Sequence, residues 1–231
     1  ESYPRADQVW VSSENEKALL ARIVDSQRIH VVGNAIDLPD TPPSAPAIRS
    51  VAFLGWYRYP PNEAAALELM RSIMPVVHAA GGPERLVIIG PFATRAMVRE
   101  ASMTHDVTLT GQVADVGLEL RTAGVLVVPI RSGGGTRVKI LEAAAAGVPV
   151  VSTALGAEGL GMTPGVHFLS AETANQFAYQ INQLTTDAGL REGLVRRAFQ
   201  FVSDNSSLAT VHAAVNAALD GLDVDPTSGS L

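Results

Sequence analysis

Between residues 49 and 153 the sequence alternates short, almost continuous apolar runs with helical segments. The five apolar runs read "RSVAFLG", "RLVIIG", "DVTLTG", "GVLVVPI" and "VPVVST". Because these runs lack polar alternation, they indicate strands that are buried on both faces of a parallel sheet. Helices between consecutive strands indicate right-handed crossover connections. The pattern therefore predicts an α/β fold with a doubly wound, Rossmann-like parallel sheet.

Helical periodicity sets the remaining elements of this domain. Helices are predicted at 62–80, 92–101, 115–123, near 136–146, 173–187, 190–202 and 208–220, with a short strand at 167–171. We therefore expect one domain over residues 47–222. The polar residues 223–231 have the composition of a flexible tail.

The chain before this domain predicts a fragment of another one. Residues 7–13 and 28–38 are predicted strands that flank a helix at 14–24, and the proline-rich residues 39–46 form a linker. Residues 1–38 are interpreted as the tail end of an N-terminal domain. Their apolar residues need a partner: Val9, Trp10, Leu19, Leu20, Val31 and Val32. A homodimer through residues 7–38 is one alternative, and size-exclusion chromatography would detect it.

Composition narrows the class of protein. The 231 residues carry a net charge of −6 and no cysteine, which disfavours a nucleic-acid binder and excludes disulfides and thiolate metal sites. The five histidines are scattered, so we expect no metal and no cofactor. No apolar run is long enough to span a bilayer, and nothing supports membrane docking. A cytoplasmic location is the expectation.

Glycine follows three of the predicted strands, at Gly55, Gly90 and Gly111. Ligands of open α/β sheets bind outside the carboxyl ends of the strands, where glycine lets a ligand approach the backbone. One such glycine is weak evidence, but three predict a crevice.

The stretch "RSGGGTRVKILEAAAAG" predicts an anion site. Gly133, Gly134 and Gly135 precede a helix expected to begin near Thr136, where free N–H groups and the helix dipole favour an anion. Arg137 and Lys139 in its first turn oppose the dipole unless an anion such as a diphosphate compensates them. The alternative is that both cations are simply solvated.

Glu142 is a lone carboxylate in an alanine-rich segment that ends at Gly147. It either forms a helix salt bridge with Lys139 or accepts hydrogen bonds from two vicinal hydroxyls, as in ribose recognition. The segment is not a Walker loop, and the chain has neither a Gly-x-Gly-x-x-Gly motif near the first strand nor a Gly-x-Ser-x-Gly elbow.

These residues resemble a known family. "GGGTRVKILEAAAAGVPVVSTALGAEGL" is similar to the donor-site signature of group 1 retaining glycosyltransferases of the GT-B fold. "IHVVGNAIDL", "FLGWYRYPPN" and "TGQVAD" resemble further segments of that family, so the resemblance covers about residues 7–205. It implies the C-terminal, donor-binding half of a GT-B enzyme that transfers a hexose with retention from a UDP or GDP sugar and generally needs no metal.

The resemblance also implies roles for individual residues. The loop Gly133–Gly135 with Thr136, Arg137 and Lys139 would hold the diphosphate and stabilise the leaving group, and Glu142 would hold the ribose. Gly111, Gln112 and Val113 would meet the base, and Gly55 to Arg58 would line the floor under the phosphates, beside Gly90.

Three departures from the family pattern matter. Gly134 stands where many members have a first glutamate, and Trp56 follows Gly55 where many have an arginine, so Arg58, Arg137 and Lys139 are the remaining cations. The acceptor-binding N-terminal domain is largely missing, so we expect weak nucleotide binding and little transfer. A sugar-nucleotide epimerase and a non-catalytic nucleotide-binding or assembly module stay open as alternatives.

Overall fold

The computed structural model describes residues 6–220 and contains eight strands within them. They are β1 Val9–Val11, β2 Ile29–Val31, β3 Ser50–Leu54, β4 Arg85–Ile89, β5 Val107–Gly111, β6 Gly124–Val128, β7 Val150–Ser152 and β8 Leu169–Ser170. Strands β3 to β8 form one sheet in the order β5-β4-β3-β6-β7-β8, and every neighbouring pair is parallel. The predicted doubly wound α/β fold is confirmed.

Nine α-helices of the described chain connect or cover these strands. They are α1 Glu14–Leu20, α2 Pro60–Glu68, α3 Met74–Ala79, α4 Arg95–Met103, α5 Val116–Ala123, α6 Val138–Ala145, α7 Ala174–Thr186, α8 Ala188–Ser206 and α9 Leu208–Asp220. Among residues 6–220, no helix is both long enough and apolar enough to cross a membrane.

The core lies on both faces of the six-stranded sheet. All five residues of β6 are buried, as are Val51, Ala52 and Phe53 of β3. Helix α6 buries Ile140, Leu141 and the run Ala143–Ala145 against it. The small alanine side chains let this helix lie close to the strands, which places its polar residues near the carboxyl edge of the sheet.

The strand order reverses direction between β3 and β6. The chain runs from β3 outward through β4 and β5, and then crosses to the other side of β3 to form β6. The loops after β3 and β6 therefore diverge at their carboxyl ends and leave a crevice, which is the usual ligand position in open α/β sheets.

The helices predicted at 14–24, 92–101 and 190–202 are Glu14–Leu20, Arg95–Met103 and Ala188–Ser206 in the structure, and two further helices differ near the site. The helix predicted at 62–80 is interrupted by a π-helical turn, Leu69–Ile73, which ends two residues before Pro75, a residue with no N–H to donate. The helix predicted to begin near Thr136 begins at Val138 instead, because Arg137 is the N-cap residue with a non-helical ψ of 55°. Thr136 and Arg137 are thus outside the first turn.

The front segment forms a small parallel sheet of β1 and β2 with α1 beside it. Val9, Val11, Val24 and Ile29 make its own apolar cluster, whereas Trp10 and Leu19 are 43% and 61% exposed. The Ser12 hydroxyl lies 2.6 Å from that of Thr136, and Ile36 N–H donates to Ser206 O. The predicted tail, residues 223–231, lies outside the described residues.

Candidate functional site

The three strand-terminal glycines lie side by side at the carboxyl edge of the sheet. Gly55 N–H donates to Ile89 O over 3.0 Å, and Gly90 N–H donates to Gly111 O over 3.0 Å. Gly90 has a φ of 125°, and a Cβ there would overlap the Gly55 carbonyl oxygen. The backbone of these three glycines therefore forms the floor of the site, and the floor has no room for a side chain at Gly90.

A cavity of about 290 Å³ lies over this floor. Six predicted site residues line it: Gly55, Gly90, Gln112, Val113, Lys139 and Glu142. Residues separated by more than 80 positions in the chain thus meet in one crevice, because the carboxyl ends of β3, β4 and β5 and helix α6 all reach it. Trp56, which falls within the predicted floor from Gly55 to Arg58, also lines this cavity, as does Asn62, which the sequence analysis did not assign to the site.

Lys139 is held in place by two neighbours. Its Nζ donates to Asn62 Oδ1 over 2.7 Å and lies 4.5 Å from the centre of the Phe53 ring. Burial, with a smaller contribution from the Arg137 charge, lowers the pKa of Lys139 to about 7, and Glu142 opposes that shift. Within the described residues, Lys139 Nζ bonds no carboxylate. An anion that enters the cavity would therefore favour the protonated form of Lys139.

Glu142 lies on the same wall, three residues further along α6. Burial raises the pKa of its carboxyl group, while the charge of Lys139 lowers it. Within residues 6–220 no group donates a hydrogen bond to this carboxylate, and no ion pair joins it to Lys139. Of the two readings of Glu142, the geometry thus favours a carboxylate that is free to accept hydrogen bonds from a ligand over a helix salt bridge.

Binding of a diphosphate should change the protonation state of Lys139. A bound diphosphate should raise the pKa of Lys139 again, so at pH 8 binding of UDP takes up close to one proton and affinity falls as pH rises above about 7. Calorimetry of UDP binding in two buffers of different ionisation enthalpy measures this uptake. Lys139→Arg stays charged at every pH of the test and should show no uptake, whereas equal uptake by both proteins would refute the assignment.

Arg137 is buried, being 6% exposed, and it holds the glycine loop from inside. Its guanidinium donates to the carbonyl oxygens of Gly133 and Gly134 over 2.8 and 3.0 Å, and to Leu155 O over 3.3 Å. Since these bonds tie up carbonyl groups, they fix the conformation of the loop. Direct contact of Arg137 with a diphosphate stays a prediction.

The glycine loop faces a second cavity of about 250 Å³ next to the front segment. Gly134, Gly135, Thr136 and Arg137 line it together with residues of the front segment and of the loop after β7, namely Ser13, Asn15, Glu16, Leu19, Glu158 and Gly159. Gly133 lines neither cavity and lies against Tyr59, whose hydroxyl donates to Gly134 O over 3.4 Å. The predicted site thus divides into two adjoining parts.

Arg137 gives a second prediction. Both Arg137→Ala and Arg137→Lys should lower the free energy of unfolding by about 2 kcal/mol, because alanine has no donor and the single ammonium of lysine lacks the planar spread of the three guanidinium nitrogens. Urea denaturation measures this loss. Arg95→Lys, at an exposed position of α4, is the matched control and should leave stability unchanged. Wild-type stability of Arg137→Ala would show that the loop does not depend on this residue.

Two further predicted site residues, Arg58 and Gly111, line neither of these cavities. The Arg58 guanidinium sits 4.1 Å from the centre of the Phe92 ring. Gly111, with a φ of 70°, precedes the cavity residue Gln112, and its carbonyl oxygen accepts a hydrogen bond from Gly90 N–H. The "YPPN" segment drew attention to the region of Asn62. The contact of Asn62 with Lys139 was not predictable, because it spans 77 positions and depends on the strand order. Among residues 6–220, no group of three or more His, Asp and Glu side chains is placed to hold a metal ion.

A parallel sheet of this order, with a cavity at the point where the strand order reverses, is the architecture of nucleotide-binding α/β domains. Residues 48–187 match the family model described as "Glycosyl transferases group 1". The match covers more than half of the chain, and the chain therefore belongs to this family. A comparison with curated protein sequences found no match.

Solved structures share the fold. TarM of S. aureus, in a crystal structure with fondaparinux, alpha-GlcNAc-glycerol and UDP, matches with a TM-score of 0.78 at 16% identity, over 95% of this chain and 45% of its own. HepE of Anabaena with UDP-glucose matches with 0.76 at 16%, over 96% and 65%. Sucrose-phosphate synthase of Thermosynechococcus elongatus matches with 0.69 at 22%, over 94% and 59%.

These matches establish a GT-B glycosyltransferase fold for this chain. At identities between 16% and 22% they establish no more than the fold. The chain spans about half to two thirds of the length of the proteins it matches.

Proposed function

We propose that the cavity at the carboxyl edge of the sheet binds the nucleoside diphosphate of a sugar donor, and that the chain is the donor half of a retaining hexosyltransferase. The observation that carries the proposal is the pair Lys139 and Glu142, which α6 presents into one cavity over a glycine floor. A cation and a free carboxylate, three residues apart on a helix, match a diphosphate and the hydroxyls of the adjoining ribose.

Each part of the nucleotide has a suitable partner in the proposed pose. The ribose lies against Glu142, the base lies towards Gln112 and Val113, and the diphosphate lies between Lys139 and the N–H groups at the start of α6. Stabilisation of the departing diphosphate by these fixed positive groups is electrostatic catalysis, which acts where negative charge develops.

In this pose the sugar extends from the diphosphate towards the glycine loop and the second cavity. Gly134 brings no carboxylate there, so backbone groups of the loop orient the sugar. Arg137 contributes through the loop that it holds and through its positive charge, which is buried without a carboxylate partner in the described chain. Such a charge favours an anion nearby.

UDP is the proposed nucleotide, with GDP as the alternative that the resemblance left open. Three of the matched proteins, TarM, HepE and the pneumococcal GtfA, were crystallised with UDP, which supports the choice. Transfer with retention of configuration is proposed from the family resemblance alone.

We further propose that the acceptor is bound by a second domain that precedes this one. The exposed Trp10, Leu19 and Ile23 give the front segment an apolar surface that fits such a domain, and the matched proteins are longer than this chain. The chain by itself should then bind the donor nucleotide and transfer little sugar. A homodimer through residues 7–38 would cover the same surface.

The test is incubation of this chain with labelled UDP-glucose, with and without simple sugar acceptors. The proposal predicts binding of the donor, little transfer and no isomerised sugar. Detectable transfer to an acceptor would show that this chain needs no second domain for activity. An isomerised sugar nucleotide would favour an epimerase instead. Size-exclusion chromatography of the same sample separates a monomer from a dimer.

A further inference from the structure

Two exposed aromatic side chains lie near the 290 Å³ cavity: Trp56 lines it, and Phe92 contacts Trp56. Trp56 and Phe92 are 51% and 47% exposed, and they follow the neighbouring strands β3 and β4. Their ring centres are 6.0 Å apart at an angle of 86°, an edge-to-face contact. Trp56 lines the cavity, next to Pro91 and Gln112.

Phe92 adopts a backbone conformation that its side chain disfavours. Its φ is 66°, in the left-handed region that few residues other than glycine, asparagine and aspartate occupy. Backbone strain of this kind collects at functional sites, because the surrounding structure must compensate for it. Here the Arg58 guanidinium lies 4.1 Å from the centre of the Phe92 ring, and Trp56 contacts the same ring.

The contacts form a chain that ends at the cavity. Arg58 packs on Phe92, Phe92 packs on Trp56, and the Trp56 carbonyl accepts a hydrogen bond of 3.1 Å from Asn62 Nδ2. Asn62 in turn accepts from Lys139. The ring contact with Phe92 limits the orientations of the Trp56 indole, and the hydrogen bond from Asn62 fixes the Trp56 backbone.

We propose that Trp56 is the surface on which the nucleotide base stacks, and that Phe92 together with Arg58 positions its indole ring. The inference rests on the proposed function and adds the residue that recognises the base. A nucleobase is a flat π system, and an indole that lines a cavity offers it a flat partner. Lys139 and Glu142 line the same cavity and supply the polar groups that suit the phosphates and the ribose.

Fluorescence reports this contact directly, because the chain has two tryptophans. In a Trp10→Phe protein, Trp56 is the single emitter, and Trp10 lies on the front segment away from the cavity. We expect UDP to quench this emission and inorganic pyrophosphate, which has no base, to bind without quenching it.

Substitutions separate binding from stability. Trp56→Leu should lower UDP affinity about 10-fold and leave pyrophosphate affinity unchanged. Phe92→Gly should relieve the left-handed strain and leave the protein at least as stable, yet weaken UDP binding in the same selective way. Phe92→Tyr keeps the ring and should keep the affinity.

The outcomes are distinct. Unchanged UDP affinity in Trp56→Leu and Phe92→Gly, with clear binding by the wild type, would overturn this inference and leave the proposed function standing. Equal losses for UDP and pyrophosphate would also overturn it, because the base would then not be what Trp56 recognises. A wild type that binds neither ligand would overturn both.

Discussion

Replacement of Gly90 by alanine is expected to lower the free energy of unfolding by about 3–5 kcal/mol, a large part of the stability of an ordinary domain. The residue has a φ of 125°, which L-residues rarely adopt, and its new Cβ would overlap the Gly55 carbonyl oxygen. That oxygen belongs to backbone that the β3–β4 ladder fixes, since Gly55 N–H bonds Ile89 O. Neither group can move without loss of the strand pairing that forms the cavity floor.

Gly111→Ala is the matched control for this substitution. Gly111 also has a positive φ, 70°, and also ends a strand, but a Cβ there meets no atom within 4 Å. Its substitution should therefore cost about 1–2 kcal/mol, the conformational term alone. Urea denaturation of both variants measures the difference, and equal stability of the two would refute the tight floor at Gly90.

Replacement of Glu142 by alanine is expected to weaken UDP binding about 10- to 100-fold, since hydrogen bonds to a charged group contribute about 1.5–3 kcal/mol. The fold should persist, because the carboxylate accepts no hydrogen bond from the described protein and its burial already disfavours the charged form. Because Glu142 raises the pKa of Lys139, its removal should lower that pKa further below about 7, so the two proteins are compared at several pH values below 7.

A double-mutant cycle identifies the group that Glu142 contacts. If the carboxylate holds the ribose, 2′-deoxy-UDP should bind the wild type more weakly than UDP does, and Glu142→Ala should lose most of that discrimination. Glu142→Gln keeps one oxygen acceptor and should give an intermediate loss. Undiminished discrimination by Glu142→Ala would show that the ribose lies elsewhere.

The strands and their terminal glycines were predictable because their signal is local. Continuous apolar runs and glycine at their ends follow from burial on both faces and from the sharp turns at the edge of the sheet. Gly55, Gly90, Gln112, Val113, Lys139 and Glu142 accordingly meet where the sequence analysis expected a crevice. The assignment of ligand groups to these residues stays a prediction.

The features that sequence did not predict depend on long-range geometry or on one-residue shifts. The contact between Asn62 and Lys139 exists because the strand order reverses between β3 and β6. Arg137 lies at the N-cap rather than in the first turn of α6, and this small shift directs its guanidinium inward to the loop carbonyls. The left-handed backbone conformation of Phe92 was not predictable from the neighbouring residues, because phenylalanine rarely adopts a positive φ.

The central claim is that one nucleoside diphosphate binds at Lys139 and Glu142, and calorimetric titration with UDP, GDP and ADP tests it most directly. We expect UDP to bind, GDP and ADP to bind more weakly, and Glu142→Ala to weaken the binding of all three, because the ribose that Glu142 contacts is common to them. A thermal shift is a parallel measurement, since ligand at a hundredfold excess over its dissociation constant adds about 2.7 kcal/mol of stability. Failure of all three nucleotides to bind, or equal binding by Glu142→Ala, would contradict the account.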